Sequence, residues 1–434
     1  MNTYSTYKDS GEQWLGQIPA HWEIRKLKYV LQLRKKIVGA DAKKYDLLSL
    51  TLKGVIKRDI ENPTGKFPTT FDSYQEVNEN DFIFCNFDNE ETPRAVGLSP
   101  YRGMITGAYD VLRRIDEHCN DRFLFYYFLW IDDAKRFKPL YKGLRKTIPL
   151  DSFLSYKLAL PPREEQAAMV AYLDEQTGKL DQAIAREQKM IDLLEERKQI
   201  IIQQAVTKGL NPNAKMKDSK VIGDYEVPAH WKVTKTLYAL SMPITDGPHE
   251  TPELYEDGIP FVSAEAVSCG RGSIDFSHIR GYISKSFYDE CCKKYIPQIN
   301  DIYMIKSGAT TGRVAIVDTD KVFTIWSPLA VFRCNAEVMF CRYLFYLLQS
   351  NFYQKQVQLG WSYGTQQNIG MRALEKLRIL LPPLQEQYAI VEYLDEHLEG
   401  INRAVDAREK IITLLQERKQ IIINEVVTGK IKVL

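Results

Sequence analysis

A long internal duplication constrains the fold of this chain more than any other feature of its sequence. The block Ile18–Trp22 returns as Val227–Trp231, and the longer block Glu196–Ile202 returns as Glu417–Ile423. The offsets are 209 residues for the first pair and 221 for the second. A period of this length is far beyond that of stacked solenoid repeats, so the sequence predicts two copies of a whole domain.

The stretches between the repeated blocks hardly match, which predicts two different surfaces on one shared scaffold. Short apolar runs such as Phe82–Cys85 and Ile302–Ile305 alternate with Gly and Pro turns, as strands do. One helical segment follows the strands in each copy, at Arg122–Phe137 and Arg342–Tyr353. The stretch between the repeated blocks of each copy is therefore predicted to form a compact α/β domain.

The repeated blocks near the end of each copy predict two long helices. Pro161-Pro162 precedes a run of acidic residues, as at a helix start, and Gly209 and Gly429 mark the two helix ends. Apolar residues then recur four and three positions apart, which is the seam of a coiled coil. The predicted seam residues are Leu180, Ile184, Ile191, Leu194 and Ile201 in the first helix, and Ile401, Val405, Ile412, Leu415 and Ile422 in the second.

Each apolar seam needs a partner, and the other helix is the natural one. If a pseudo-two-fold axis relates the two halves, the helices run antiparallel and the end of the second returns towards Trp14–Trp22. The fold class predicted is therefore α+β: two α/β domains joined by two long antiparallel coiled-coil helices, pseudo-two-fold and quasi-circular. Gly178 and Gly400 predict a bend or weak point that separates a short helix from a long one in each copy, with simple flexibility as the alternative. Packing of the two helices on separate domains is the alternative to the coiled coil.

The repeats also suggest where the segments begin and end. They predict an N-terminal scaffold segment (1–22), a first variable domain (23–160), a central helix with its linker (161–231), a second variable domain (232–381) and a C-terminal helix (382–434).

Several loops of the variable domains have the composition of nucleic-acid contacts. Backbone N–H groups, hydroxyls and cations bind phosphates, whereas Arg, Gln and Asn side chains read base edges. Ordinary hairpins and solvated loops are the alternative for every one of them. The candidate DNA-binding residues are Lys53, Lys57, Arg58, Lys142, Arg145 and Lys146 in the first domain, and Lys306, Ser307, Thr310, Thr311, Arg313, Tyr363, Thr365, Gln366 and Gln367 in the second.

Composition and missing motifs exclude several other classes. The net charge is only +2, and the seven cysteines are scattered, with no paired spacing of zinc ligands, which predicts reduced thiols in the cytoplasm. No apolar run is long enough for a membrane span. The sequence lacks a phosphate-binding loop and the catalytic motif of an amino-group methyltransferase, so we predict no catalytic residues and no metal site in this chain.

The duplicated motifs resemble one known family. A G-x-[IV]-P-x-x-W block, an L-P-P-x-x-E-Q helix start and an E-R-K-Q-x-I-I helix core, each present twice, are similar to those of specificity (S) subunits of type I restriction-modification enzymes. Ser307–Gly312 and the order of Gly97–Tyr101 and Thr106–Tyr109 also resemble target-recognition variants of that family. The resemblance extends over nearly the whole chain.

This resemblance implies a non-catalytic DNA-reading subunit. Each variable domain would be a target-recognition domain for one half of an asymmetric, bipartite site in double-stranded DNA, and the helices would set the gap between the halves. Two methyltransferase subunits would dock on the helices and use S-adenosylmethionine, and two restriction subunits that need ATP and magnesium are optional further partners. No cofactor is expected in this chain itself.

Three other functions stay open at the level of sequence. The chain could be a stand-alone DNA-binding regulator, a self-sufficient methyltransferase or nuclease, or a coiled-coil scaffold without enzyme partners. Three observations separate these functions. A partner methyltransferase argues against the regulator, methylation by the purified chain alone would support the self-sufficient enzyme, and DNA binding with the partner present argues against the scaffold.

Overall fold

The structure, a computed structural model, describes residues 3–59, 70–223, 225–363 and 367–433, with only the backbone of Tyr363. The chain forms two compact units. Unit 1 comprises residues 1–188 and 409–434, and unit 2 comprises residues 189–408. Each unit therefore contains one variable domain together with a segment of both long helices.

Unit 1 is built on an antiparallel four-stranded sheet in the order β4-β11-β8-β9, with Leu112 opposite both Leu33 and Phe82. Its described strands are β1 (Tyr7–Asp9), β2 (Gln17–Pro19), β3 (Glu23–Lys26), β4 (Leu31–Leu33), β5 (Leu48–Thr51), β6 (Gly54–Lys57), β7 (Gln75–Val77), β8 (Phe82–Phe84), β9 (Val96–Leu98), β10 (Gly103–Ile105), β11 (Asp110–Arg114) and β12 (Lys157–Leu160). Its helices are α1 (Asp121–Asp133), α2 (Leu150–Ser155) and the first part of α3 (Arg163–Lys208).

Unit 2 repeats this plan with the four-stranded antiparallel sheet β16-β22-β19-β20. Its described strands are β13 (Met216–Asp218), β14 (Glu226–Pro228), β15 (Lys232–Lys235), β16 (Thr245–Asp246), β17 (Ile259–Val262), β18 (Tyr282–Ile283), β19 (Ile302–Ile305), β20 (Val314–Ile316), β21 (Thr324–Ile325), β22 (Leu329–Phe332), β23 (Ser362–Tyr363), β24 (Gln367–Asn368) and β25 (Arg378–Leu381). Its helices are α4 (Ala264–Cys269), α5 (Lys285–Cys292), α6 (Cys341–Gln349), α7 (Asn351–Leu359), α8 (Met371–Lys376) and the first part of α9 (Leu384–Val427).

The aromatic-rich helical segments follow the strands in both units, as the sequence predicts. In unit 1 the side chain of Asn120 accepts hydrogen bonds from the first amides of α1, and the helix packs its aromatic residues into the core. In unit 2 the predicted single helix is two helices. Ser350 lies between α6 and α7 with extended backbone, and its hydroxyl accepts a hydrogen bond from Tyr353 N.

Both long helices begin and end where the sequence predicts. α3 starts directly after Pro161-Pro162, and α9 starts after Pro382-Pro383. Gly209 and Gly429, at their C-terminal ends, have φ values of 70° and 72°, in the left-handed region that favours glycine. The predicted separation of a short helix from a long one at Gly178 and Gly400 is wrong, because α3 and α9 are continuous through both glycines. A single glycine weakens a helix but does not interrupt it when packing on both sides supports the turns.

The ends of the two long helices pack against each other within each unit. All ten seam residues are buried or half-buried. In unit 1 the end of α9, with Ile422 and Val426, packs in one cluster with Met169 and Leu173 from the beginning of α3. In unit 2 a Cβ added to Gly209, at the end of α3, would lie 3.0 Å from the side chain of Glu386 at the beginning of α9. The end of one helix meets the beginning of the other in both units, so they run antiparallel.

One helix-to-helix contact occurs twice, at equivalent positions of the repeat. Lys419 Nζ lies 2.7 Å from Asp181 Oδ1 in unit 1, and Lys198 Nζ donates to Asn402 Oδ1 at 2.8 Å in unit 2. The lysines are 221 residues apart, and so are their acceptors. The repeat therefore preserves the alignment of the helices but not the charge of the acceptor.

The tryptophan blocks anchor each helix pair. Trp22 and Trp231 are fully buried. Trp22 Nε1 donates to Glu165 Oε1 at 3.1 Å, near the start of α3. Trp231 Nε1 is buried without a hydrogen-bond partner among the described residues, so the second anchor depends on packing alone.

Two further sequence predictions concern the whole chain. No described helix is both long and apolar enough to cross a membrane. All seven cysteines are free thiols, as predicted from their spacing.

Candidate nucleic-acid interface

Two loops of unit 1 are joined at one end of its four-stranded sheet. The first, loop 86–92, follows β8, and the second is loop 142–147. Ile148 N donates to Asn86 O at 2.8 Å, and Asp88 N donates to Arg145 O at 2.8 Å. Loop 142–147 is itself closed by the paired backbones of Lys142 and Thr147. The main chain thus presents both loops as one surface.

Unit 2 joins two loops in the same way. Loop 306–313 follows β19, and loop 362–368 contains β23 and β24. Ile369 N donates to Lys306 O at 2.9 Å, and Gly308 N donates to Gln367 O at 3.0 Å. These bonds correspond to those of unit 1, because Lys306 is 220 residues after Asn86 and Ile369 is 221 residues after Ile148. We call the two joined loops of each unit its loop pair.

Each loop pair thus has a common backbone frame and its own side chains. Because main-chain groups make the joining bonds, any side chain can occupy most loop positions without breaking the frame. This is the arrangement expected of a surface whose position is fixed and whose specificity varies.

The loop pair of unit 1 is held by internal ion pairs. Arg145 Nη2 lies 2.7 Å from Asp88 Oδ2, and Lys146 pairs with Glu90. Lys138 Nζ lies 2.9 Å from the other oxygen of Glu90. Hydrogen bonds from Lys138 and Lys146 lower the pKa of Glu90 to about 2, so this carboxylate is charged at all ordinary pH values. We call these three ion pairs the charged latch.

The loop pair of unit 2 carries hydroxyls and amides instead. Thr311 Oγ1 donates to Gly308 O at 2.6 Å, and Ser307 pairs with Asn368 through the backbone. Gln367 and Asn368 are exposed. Gly308 has a φ of 100°, and nothing lies within 4 Å of a Cβ built on it. Glycine is therefore required there by the backbone turn and not by crowding.

Lys306 has an internal partner that the sequence analysis did not foresee. Its side chain is 13% exposed, and its Nζ lies 3.3 Å from Oδ2 of the buried Asp246. Lys294 Nζ lies 2.5 Å from Oδ1 of the same carboxylate, and the exposed His249 lies 3.2 Å from Oδ2. Burial raises the pKa of Asp246, but hydrogen bonds from Lys294 and Lys306 outweigh it, and the net pKa is lowered. Asp246 thus fixes the first residue of loop 306–313.

The remaining predicted residues lie in three places. Lys53, Lys57 and Arg58 belong to or directly follow the β5–β6 hairpin, where Lys57 Nζ lies 2.6 Å from Asp46. Arg313 is exposed and donates to Ser268 O at 3.1 Å, while Thr310 is half-buried. Thr365, Gln366 and the side chain of Tyr363 lie outside the described residues. Each of these residues stays a predicted DNA contact.

Sequence reasoning missed the residues that organise the loop pairs. Asp88 and Glu90 hold the charged latch, and Asp246 holds Lys306. These residues are acidic, whereas the candidate DNA contacts were chosen among cations, hydroxyls and amides. The only signal in the sequence was position, since Asn86 and Lys306 lie within two residues of the ends of corresponding strands in the two repeats. No three His, Cys, Asp or Glu residues in the described part of the chain are grouped so that they could hold a metal ion.

Comparison with known proteins identifies the type of domain that carries these loops. A family model described as the type I restriction modification DNA specificity domain matches residues 250–410, which include the loop pair of unit 2. That stretch is therefore similar to a DNA specificity domain.

Relatives extend this similarity beyond the matched domain. The putative type I restriction enzyme MjaX specificity subunit of Methanocaldococcus jannaschii is 25% identical, over 96% of this chain and 96% of its own. The MjaVIII specificity subunit of the same organism is 22% identical, over 82% of this chain and 80% of its own. The chain is therefore similar to specificity subunits of type I restriction-modification enzymes over nearly its whole length.

A solved structure shows the same fold. One chain of a type I restriction-modification assembly superposes with a TM-score of 0.58 at 17% sequence identity, covering 95% of this chain and 99% of that one. The predicted arrangement of two α/β domains with long coiled-coil helices is therefore confirmed.

Proposed function

We propose that each loop pair reads one half of an asymmetric, bipartite site in double-stranded DNA. The observation that carries this proposal is the repeated backbone frame with different side chains. Arg reads guanine and Gln or Asn reads adenine in the major groove, so the two loop pairs suit different half-sites. The single DNA sequence recognised should therefore not be palindromic.

The long helices would set the number of unread base pairs between the half-sites. α3 has 46 residues, which corresponds to about 69 Å at 1.5 Å per residue. This is longer than the roughly 34–36 Å of one DNA turn, so the helix can span half-sites about one turn apart. A helix pair that kept one length would leave the gap little freedom.

The deletion of one heptad from each helix tests this role. Removing residues 185–191 and 406–412 takes equivalent segments from both repeats and keeps the apolar seam in register. Seven residues correspond to about 10 Å of helix, so the unread gap should shorten by about three base pairs. Substituting the exposed polar residues of the same segments without deletion is the control. An unchanged gap in the deleted protein would contradict the proposal.

The helices would also bind two copies of a methyltransferase subunit. Each carries large apolar side chains that stay 40–63% exposed outside the seam, and the two sets are equivalent in the repeat. They are Met190, Leu193 and Ile200 on α3, and Ile411, Leu414 and Ile421 on α9. Repeated exposed apolar stripes of this kind indicate protein interfaces. The substitutions Leu193→Asp and Leu414→Asp should each remove one methyltransferase copy, as measured by native mass spectrometry.

The chemistry would then lie in the partners. We expect the methyltransferase subunits to supply S-adenosylmethionine-dependent adenine methylation, and optional restriction subunits to use ATP and magnesium. This chain would be non-catalytic and would act in the cytoplasm. Methylation by the purified chain alone would contradict this division of roles.

Genome-wide mapping of methylated adenine tests the whole proposal. Cells with this chain and its methyltransferase partner should show one bipartite, asymmetric methylated motif that is absent from cells lacking this chain. Cells carrying only the partner are the matched control. A palindromic motif, or an unchanged methylation pattern, would overturn the proposal.

A further inference from the structure

A second feature is repeated in both units, at the end of each sheet that faces away from the loop pair. In unit 1 the strand β4 begins at Leu31, opposite Arg114, whereas loop 86–92 leaves the other end of the sheet after Phe84. Tyr29 lies just before β4, so it is at the end opposite the loops. Unit 2 places Tyr238 correspondingly, because the following Leu240 pairs with Cys334, beyond the end of β22 that is opposite Lys306.

Both tyrosines are exposed on equivalent turns. Tyr29 is 60% exposed and Tyr238 is 64% exposed, and they are 209 residues apart. Leu27 N donates to Tyr156 O at 2.8 Å, and the equivalent Thr236 N donates to Leu377 O at 2.8 Å. The fold thus holds the two turns in the same way and leaves both rings in solvent. An exposed ring contributes little to the stability of its own unit.

Two cations lie opposite each other beside each tyrosine. In unit 1 the antiparallel strands β3 and β12 pair Lys26 with Lys157, and in unit 2 β15 and β25 pair Lys235 with Arg378. Like charges directly opposite on neighbouring strands destabilise a sheet. Lys157 has a carboxylate partner in Glu12, at 2.6 Å, but Lys235 and Arg378 have no ion pair among the described residues. Two cations that face each other in both repeats, uncompensated in unit 2, suggest an anionic ligand.

The patch in unit 1 has the shape of a binding site. Ile24, Arg25, Lys26, Tyr29 and Lys157 line one open groove of about 650 Å³. A groove with an exposed tyrosine and flanking cations suits a peptide segment that has both carboxylates and an apolar or aromatic side chain. We call Lys26, Tyr29 and Lys157 the repeat patch of unit 1, and Lys235, Tyr238 and Arg378 the repeat patch of unit 2.

The ligand must be common to both units, because the patch is repeated while the loop pairs differ. It must also approach the end of the sheet that carries no reading loop. A protein partner bound in two copies meets both conditions, whereas the DNA read by the loops lies at the other end. We propose that each repeat patch binds an acidic segment of one methyltransferase subunit, as a second contact besides the helices. This inference rests on the proposed function, which supplies a partner in two copies.

The test uses the full chain with its own purified methyltransferase subunit. The unit 1 variant is Lys26→Glu with Tyr29→Ala, and the unit 2 variant is Lys235→Glu with Tyr238→Ala. Each should weaken one of the two methyltransferase copies by about tenfold or more, the usual effect of removing a hot-spot contact. Native mass spectrometry over a concentration series measures the occupancy of both sites. The combined variant should weaken both copies.

Two controls separate binding from folding. Lys26→Glu places a carboxylate opposite Lys157, so the thermal midpoint should stay unchanged or rise while partner binding falls. The charge-preserving pair Lys26→Arg with Tyr29→Phe should bind almost as well as the unaltered chain. Lys43→Glu, at an exposed lysine on a different turn of unit 1, should have no effect on assembly.

Three outcomes overturn the inference in distinguishable ways. If the patch variants assemble normally while Leu193→Asp and Leu414→Asp lose assembly, the inference about the repeat patch is overturned and the proposed function is kept. Weakened DNA binding with normal assembly reassigns the patch to DNA phosphates and also overturns it. An unaltered chain that binds no methyltransferase overturns both proposals.

Discussion

The loop pairs of unit 1 and unit 2 are held by equivalent main-chain hydrogen bonds, but their side chains differ in charge and hydrogen-bonding groups. In unit 1, Arg145 and Lys146 are neutralised by Asp88 and Glu90. In unit 2, Gln367 and Asn368 are exposed, and the single lysine is held by a buried carboxylate. The comparison teaches that the scaffold determines where the reading surface lies, whereas the side chains determine what it can bind.

The largest effect we expect comes from removing the base-reading groups of one unit. Gln367→Ala with Asn368→Ala should weaken binding to the complete site by about 2–4 kcal/mol, since each lost base contact costs about 1–3 kcal/mol. Only one half-site should lose its base preference. Equilibrium binding to duplexes with either half-site scrambled measures this.

The reciprocal variant sharpens the same comparison. Arg145→Ala with Lys146→Ala should relax the other half-site and leave the first unchanged. If both variants affect the same half-site, the assignment of one loop pair to each half is wrong.

A smaller effect distinguishes the two helix ends. Alanine at Gly429 would adopt a left-handed backbone and bring its Cβ to 2.5 Å from Pro19, whereas at Gly209 the nearest atom, at 3.0 Å, is the flexible end of Glu386. We expect Gly429→Ala to cost about 2–3 kcal/mol of unfolding free energy and Gly209→Ala about 1 kcal/mol. Denaturant unfolding of both variants measures the difference, and equal costs would show that the two ends are equally tolerant.

How much of this could be predicted from the sequence depends on the kind of interaction. We could predict the duplication, the helix ends and the seam because prolines, glycines and a four-three apolar spacing leave a local pattern in the sequence. We could not predict the main-chain bonds that join the loops, since carbonyl and amide groups bond the same way in every residue. The latch and Asp246 were not readable because ion pairs between residues 57 and 60 positions apart leave no periodic trace. The helix continuity at Gly178 was mispredicted from local propensity alone.

The charged latch should moderate nonspecific binding to DNA. Asp88→Asn with Glu90→Gln frees Lys138, Arg145 and Lys146, so we expect binding to a random duplex to strengthen by about 1 kcal/mol at low salt. The slope of log affinity against log salt should steepen by up to about three phosphate contacts. Gln367→Ala in unit 2 is the matched control and should leave that slope unchanged.

The charged latch also predicts how nonspecific DNA binding depends on pH. The folded pKa of Glu90, about 2, is below the roughly 4.3 of an unfolded glutamate, so its contribution is complete above the unfolded value and is lost as pH falls towards 2. Nonspecific DNA binding between pH 5 and 9 should therefore show no titration from Glu90. A step in this range that the Glu90→Gln variant abolishes would contradict the latch.

The smallest effect concerns the repeated helix contact. Asp181→Asn converts the ion pair of unit 1 into the amide contact found in unit 2. Because the pair is exposed, we expect a loss of at most about 0.5 kcal/mol that disappears at high salt. Asn402→Asp is the converse, and thermal unfolding at two ionic strengths measures both. A large loss at Asp181 alone would show that the two contacts are not equivalent.

The joining of the loops by main-chain hydrogen bonds has an evolutionary consequence. A mutation at most loop positions changes what the surface recognises without changing how it is held, so new specificities can arise one substitution at a time with little loss of foldability. Drift in one unit need not disturb the other, and a lineage can therefore explore combinations of half-sites faster than a protein whose recognition residues also form its core.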